Sequence, residues 1–309
     1  MKSHQKIPVL LWLYHNDLWP EFLELLRPIG DLIDLRLGLC VDNNIDHISQ
    51  DFYSHFTGSI TLHPNKGVDV LPFLHQMSFL NTENSDDVFL KIHSKKSEVA
   101  PGMNWRAILL NSLIGNRDNF IYNIDKFKHS DLGMLCSQNL ILSNRERANT
   151  KKINQLCQKM NIDYPSVKSG SFPSGNMFFG RKSLFRQYFN ESTIEQLDNL
   201  FKNERGGVVD SKDGTYCHSL ERMFGYLISY NNKKILQCSE INIDISRHDN
   251  PNQIFNIVIM YNGDCYYRDN MYVYGNILSQ NRSEIVISWK HIESNPIIRY
   301  KINERSRSV

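Results

Sequence analysis

Short apolar runs of strand length alternate with stretches of helical periodicity along the N-terminal part of this chain, and that alternation narrows its fold class most. Val9 to Tyr14 is a strand-like run, after which Trp19, Phe22, Leu23 and Leu26 share one helical face. Asp34 to Val41 reads as a second strand, Asn44 to Phe56 as a helix, and Ser59 to Leu62 as a third strand. Val70 to Phe79 reads as a helix and Val88 to His93 as a fourth strand. Strands separated by helices return to a sheet in the same direction, so the expectation is an α/β fold with a mostly parallel sheet flanked by helices. Ligands in such sheets bind outside the carboxyl ends of the strands, which puts the residues after Ile92 in a favourable place.

Further along, Trp105 to Gly115 and Asp118 to Phe127 read as helices, Leu132 to Ser137 as a strand, and Glu146 to Met160 as a helix. Ser169 to Asn176 is a turn-rich loop feeding a strand at Met177 to Gly180. Two short helices follow at Leu184 to Phe189 and Ile194 to Phe201, then a longer one at Tyr216 to Ser229. From Gln253 onward the texture changes to β-like runs at 254–260, 272–278, 285–289 and 297–302, joined by Asn, Gly and Ser. The expected organisation is one α/β domain over residues 1–247 and a small β-rich C-terminal extension over 248–309. The tyrosines of that extension (261, 266, 267, 272 and 274) and Trp289 can hold a glycan or contact another subunit; a small β core with exposed tyrosines explains them equally.

A chain of 309 residues with 41% hydrophobic content buries a substantial core. The apolar run at 9–14 stops at His15, Asn16 and Asp17, too soon for a signal peptide or membrane span, so the expectation is a soluble protein. A net charge of +2 argues against a nucleic-acid partner, although the tail from Arg299 to Arg307 can touch phosphates or an anionic lipid surface, or simply be solvated. Six cysteines without a C-x-x-C pair are poorly spaced for zinc and read as reduced core thiols in the cytosol.

Four segments carry the chemistry: Asn65-Lys66-Gly67-Val68-Asp69-Val70-Leu71-Pro72-Phe73-Leu74; Phe89-Leu90-Lys91-Ile92-His93-Ser94-Lys95-Lys96-Ser97 with Trp105-Arg106; Phe172 to Arg181; and Asp213-Gly214-Thr215-Tyr216-Cys217-His218-Ser219-Leu220-Glu221-Arg222 through Gly225. In this order and spacing, from about His15 to Tyr226, they resemble the rhamnan synthesis protein F family of bacterial polysaccharide glycosyltransferases. The resemblance implies a GT-A-like, Rossmann-type fold and a cytoplasmic enzyme that can associate peripherally with the inner face of the plasma membrane. It implies transfer of rhamnose or another hexose from a nucleotide-sugar donor to a lipid-linked or oligosaccharide acceptor, in O-antigen, capsule or rhamnan synthesis, with inversion. A sugar-phosphate transferase and a non-catalytic glycan-binding or assembly protein are the alternatives.

A departing nucleoside diphosphate needs its developing charge stabilised. Many GT-A enzymes use a divalent cation held by Asp-X-Asp, and no two Asp residues of this chain are separated by a single residue. Where that motif would fall stand His93, Lys95 and Lys96, cationic or hydrogen-bonding groups suited to a diphosphate without a metal cofactor. Arg106 joins them or pairs with an acid on its helix; Arg222 binds phosphate or orients its neighbour. A metal site assembled from Asp42, Asp86, Asp87, Asp210 and Asp213 is the less favoured reading. Gly67 serves a turn and Asp69 contacts the nucleoside or caps a helix. Ser174, Gly175 and Asn176 approach a sugar or form a structural turn. Glu221 is the favoured catalytic base, with Asp213 as competitor and His218 on the same helical face.

Overall fold

A computed structural model describes residues 6–42, 45–80, 87–96, 105–137, 141–143, 149–164, 170–202, 204 and 214–238, and four C-terminal strands. The chain divides into two compact units: Met1–Ser97 with Asn104–Ile241, and Glu98–Met103 with Asn242–Val309.

In the first unit, β1 (Ile7–Leu13), α1 (Trp19–Leu26), β2 (Ile33–Cys40), α2 (Asp46–His55), β3 (Gly58–His63), α3 (Val70–Ser78) and β4 (Val88–His93) follow one another as the alternation predicts. Then come α4 (Trp105–Leu113), α5 (Arg117–Asp125), β5 (Leu132–Cys136), β6 (Ile141–Ser143), α6 (Thr150–Lys159), β7 (Ser171–Pro173) and β8 (Phe178–Arg181). The unit ends with α7 (Lys182–Tyr188), α8 (Glu191–Phe201), α9 (Tyr216–Tyr230) and β9 (Lys234–Gln237). The seven-stranded sheet has the order β3-β2-β1-β4-β8-β5-β9. Only β8 runs against its neighbours; the β1–β2, β2–β3, β1–β4 and β5–β9 pairs are parallel. The chain builds outward from β1 through β2 to β3 and then crosses back to place β4 on the other side of β1, so the strand order reverses between β1 and β4. This is the GT-A-like arrangement that the resemblance implies.

Three short strands escaped the sequence reading, β6, β7 and β9. The supposed loop at 169–176 contains β7, which pairs antiparallel with β6. The Lys234–Gln237 strand follows Asn231-Asn232 at the end of α9 and adds to the sheet edge through β5. Three or four residues that alternate polar and apolar give too little periodicity to separate a strand from a turn.

An aromatic cluster holds the helices to the sheet. Phe73 of α3, Phe89 of β4, Phe178 of β8, Phe185 of α7 and Phe224 of α9 meet with ring centroids 5.2–6.1 Å apart. Each such buried ring stabilises the fold by about 1.5–3 kcal/mol. Gly225 lets α9 lie against β7: a Cβ there would stand 2.1 Å from the Ser171 carbonyl oxygen. That close approach gives the glycine of the fourth motif a packing role.

The second unit contains a four-stranded antiparallel sheet of β10 (Phe255–Ile257), β11 (Val273–Gln280), β12 (Glu284–Trp289) and β13 (Ile297–Lys301), in that order. Tyr274 and Trp289 lie on these strands; Tyr261, Tyr266, Tyr267 and Tyr272 lie outside the described residues. The five described cysteines are free and buried. Among the described residues no helix is long and apolar enough to cross a membrane.

Candidate active site

The third strand leads into a turn in which two consecutive residues adopt left-handed backbone, Gly67 at φ +64° and Val68 at φ +52°. The Gly67 carbonyl accepts from Val70 N at 2.9 Å, which starts α3 immediately after the turn. Asp69 occupies the cap position of that helix, yet its side chain makes no capping bond. It is buried and faces the sheet instead.

There it meets Lys91. Along β4 the side chains alternate, so Phe89, Lys91 and His93 share one face, the face on which Phe89 packs against Phe73 of α3. Lys91 is 1% exposed, and its ammonium donates to Asp69 Oδ2 at 2.5 Å and to the Asn176 carbonyl at 2.7 Å. The Asn176 side-chain amide donates to the same Asp69 oxygen at 2.8 Å. Gly175 and Asn176 are themselves left-handed, at φ +83° and +55°, which turns their carbonyls toward β4. A buried ammonium persists only with an opposite charge and hydrogen-bond acceptors, which the Asp69 carboxylate and the Asn176 carbonyl supply.

His93 lies beside this pair, its Nε2 3.0 Å from the Gly175 carbonyl and 3.7 Å from Asp69 Oδ2. A carbonyl only accepts, so Nε2 carries the hydrogen and Nδ1 of the neutral ring is left as an acceptor. Burial brings the His93 pKa down to about 4; Asp69 opposes the fall, while Lys91 and Lys95 add to it. The ring is therefore neutral at pH 7 and offers a phosphate no hydrogen from Nδ1, which differs from the donor role expected from sequence. Burial also works against ionisation of Asp69, but His93, Lys91 and Lys95 around it hold its carboxyl well below the usual range.

Across from them, α9 contributes Cys217 and Glu221. Thr215 caps this helix, accepting from His218 N at 3.1 Å, and its hydroxyl lies 2.9 Å from His218 Nδ1. Glu221 falls in the second turn of this helix and stays half-buried. Side-chain ligand atoms of Asp69, Cys217 and Glu221 lie within 4.8 Å of one another. Burial and then the Asp69 charge raise the Glu221 pKa, with His218, Lys95 and Lys91 pulling the other way. Burial, followed by Glu221 and Asp69, pushes the Cys217 thiol well above its usual value, and that thiol points at the Gly67 carbonyl, 3.6 Å away.

These three donors are a poor seat for a hard divalent cation. Asp69 Oδ2 already accepts from an ammonium and an amide, the thiol is held protonated, and a cation would stand against Lys91. Lys91 already supplies a positive charge inside the cluster.

The structure thus assembles Asp69, His93, Gly175, Asn176 and Glu221, with Lys95 close enough to act on the charges of Asp69, His93 and Glu221. Lys96 instead forms an exposed ion pair with Asp17, 2.6 Å between charged atoms. Arg106 is buried and grips both carboxylate oxygens of Glu21, at 2.9 and 2.6 Å, while donating to the Lys95 carbonyl. It does pair with an acid, but one on α1 rather than on its own helix, and it anchors the segment that carries Lys95. Arg222 lies over the Phe172 ring and donates to the His218 carbonyl at 2.8 Å. Ser174 is half-buried in the turn before Gly175. Asp213, Asp86 and Asp210 lie outside the described residues.

Lys91 was not assigned a role from sequence, although a lysine on the inward face of Val88-Phe89-Leu90-Lys91-Ile92-His93 is itself a signal: a charge in an apolar strand requires a buried partner. Tyr14, His15 and Ser94, at the ends of β1 and β4, were also missed. Ser94 Oγ accepts from His15 N at 3.0 Å, and Tyr14 OH accepts from the Asn65 amide at 3.1 Å. Burial, and after it the charges of Lys96 and Arg106, lower the His15 pKa, with Asp17 opposing them.

Sheet order and site together define the molecule as a GT-A-like α/β protein with a charged cluster where its strand order reverses. The family model described as rhamnan synthesis protein F matches residues 1–233, and the chain belongs to that family. A curated relative, "Uncharacterized protein WxcX" of Xanthomonas campestris pv. campestris, is 31% identical over 176 residues, 55% of this chain. The chain spans only 24% of that relative's length. Among solved structures, the bifunctional glycosyltransferase WbbM in its apo form is 11% identical, with TM-score 0.37, over 75% of this chain and 44% of that one. A minor L-lactate dehydrogenase from Enterococcus mundtii, without ligands, is 12% identical, with TM-score 0.20, over 75% of this chain and 78% of the other. At such scores neither likeness bears on the fold, which rests on the sheet order.

Proposed function

We propose that this chain is a glycosyltransferase that moves a hexose from a nucleoside-diphosphate donor onto a growing bacterial surface polysaccharide. The observation that carries the reading is the Asp69–Lys91–Asn176 cluster with Glu221 beside it, at the point where the sheet order reverses and α/β folds bind ligands. Membership of a polysaccharide-synthesis family supplies the substrate class.

In this reading the diphosphate faces Lys95, held in place through its carbonyl by Arg106, at the ends of β1 and β4. The acceptor hydroxyl oxygen bonds to the anomeric carbon as the bond from that carbon to the diphosphate oxygen breaks. The electron pair leaves with the diphosphate, and the hydroxyl proton passes to Glu221. A carboxyl whose pKa is raised by burial and by Asp69 is suited to that task, since a base works best near the operating pH. Attack opposite the leaving group inverts the anomeric centre. Lys91 neutralises Asp69 where a metal would otherwise stand, which supports a metal-independent reaction. Asn176, Gly175 and Ser174 line the sugar side, and Asp69 and Gly67 the nucleoside side. The donor is cytoplasmic and the acceptor lipid-linked, so the enzyme works at the inner face of the membrane.

Transfer assays with UDP-, dTDP- and GDP-hexoses on lipid-linked oligosaccharide, in chelator, test this. One donor is turned over to nucleoside diphosphate, and Glu221→Gln lowers kcat by about 10²–10⁴-fold while nucleotide affinity is retained. Nucleotide binding without turnover of any donor would point to a non-catalytic glycan-binding protein, and manganese-dependent activity would remove the metal-free mechanism.

A further inference from the structure

Val68 stands in backbone conformation that a β-branched residue rarely adopts, at φ +52°, directly between Gly67 and the buried Asp69. Gly or Asn would take this position at little cost. Burying the side chain would offset part of that strain, yet Val68 remains 38% exposed.

The surrounding structure is firm enough to hold it. The Gly67 carbonyl accepts from Val70 N, Leu71 N and Cys217 Sγ, which fixes the turn. Downstream, Asp69 is tied to Lys91 and Asn176. Between these two fixed points Val68 keeps part of its side chain at the surface, one residue before Asp69. The neighbouring strand end carries another exposed apolar group, Val41, whose backbone N–H bonds to the His63 carbonyl at 3.0 Å. Strain of this kind concentrates where a ligand is received.

We infer that Val68 is a specificity-determining residue whose strained backbone presents an apolar wall to the base or ribose of the donor nucleotide. This rests on the glycosyltransferase reading above. Its consequence is a trade of stability for affinity at one residue.

The test compares wild type, Val68→Gly and Val68→Asn by thermal unfolding without ligand and by calorimetric titration with the nucleoside diphosphate that wild type binds. Both variants accept left-handed backbone and lack the apolar wall. The melting temperature rises by about 2–4 °C or more in Val68→Gly, and both variants bind the nucleotide at least about fivefold more weakly. The affinity loss is similar for the parent nucleoside and absent for pyrophosphate, because the wall meets base or ribose. Wild type that binds while both variants bind equally well, or a Val68→Gly protein that melts below wild type, overturns the inference and leaves the glycosyltransferase reading standing. Wild type that binds no nucleoside diphosphate removes both.

Discussion

Asp69 illustrates how one residue is settled by competition. Its position at the start of α3 suits a helix cap, and the sequence equally allowed a nucleoside contact; the structure turns the carboxylate to Lys91 and leaves the cap unmade. An ion pair with both partners almost fully buried outweighs a single helix-capping hydrogen bond, because an unpaired ammonium costs several kcal/mol while a cap contributes about 1. Asp69→Asn is therefore expected to lower unfolding free energy by about 3–5 kcal/mol. The double variant Asp69→Asn/Lys91→Met should recover most of that loss, as measured by urea unfolding in a double-mutant cycle. Equal stability of wild type and Asp69→Asn would show that Lys91 does not depend on this carboxylate. Much of the site was legible because Asp69, His93, Asn176 and Glu221 sit in motifs with turns and strand ends around them. Lys91 was not, because it belongs to an apolar strand and its partners lie 22 and 85 positions away.

At the scale of elements, two strands of the first unit end in histidines that burial keeps uncharged. His63 closes β3 and His93 closes β4, and the pKa of each falls to about 4, with burial the largest cause. For His63 the nearby His75 adds to the fall and Asp198 opposes it. Their unfolded values lie near 6.5, so between about pH 6.5 and 4 the unfolded chain binds more protons than the folded one. Their contribution is complete above pH 6.5, declines as the pH falls, and stops changing below about 4. Each histidine accounts for a loss on the order of 2–3 kcal/mol across that window. Urea midpoints at pH 7.0 and 4.5 check this, and His63→Gln should show a smaller pH difference than wild type. An equal difference in the variant would mean that His63 already titrates normally. The elements themselves were readable wherever periodicity ran for two turns or six strand residues. The missed strands β6, β7 and β9 are three or four residues long, and pairing rather than pattern defines them.

For the whole molecule, the sheet order explains why one cluster can gather residues from β3's exit, β4, the turn before β8 and α9. Those four chain segments meet where the strand order reverses between β1 and β4, the point at which open α/β sheets form the mouth of a ligand crevice. The strand–helix alternation announced the parallel sheet, but not which strands would be neighbours; sequential order alone does not show that β8 inserts between β4 and β5. The central claim is that this mouth receives a nucleoside diphosphate with lysine in place of a metal. Thermal unfolding with UDP, dTDP, GDP and CMP, each with and without manganese, and repeated on Lys95→Ala, tests it most directly. A ligand raises the melting temperature only by binding the folded state more tightly than the unfolded. The account predicts that one nucleoside diphosphate stabilises wild type equally with and without manganese and loses most of that effect in Lys95→Ala. Stabilisation that appears only with manganese, or none from any nucleotide, would contradict it.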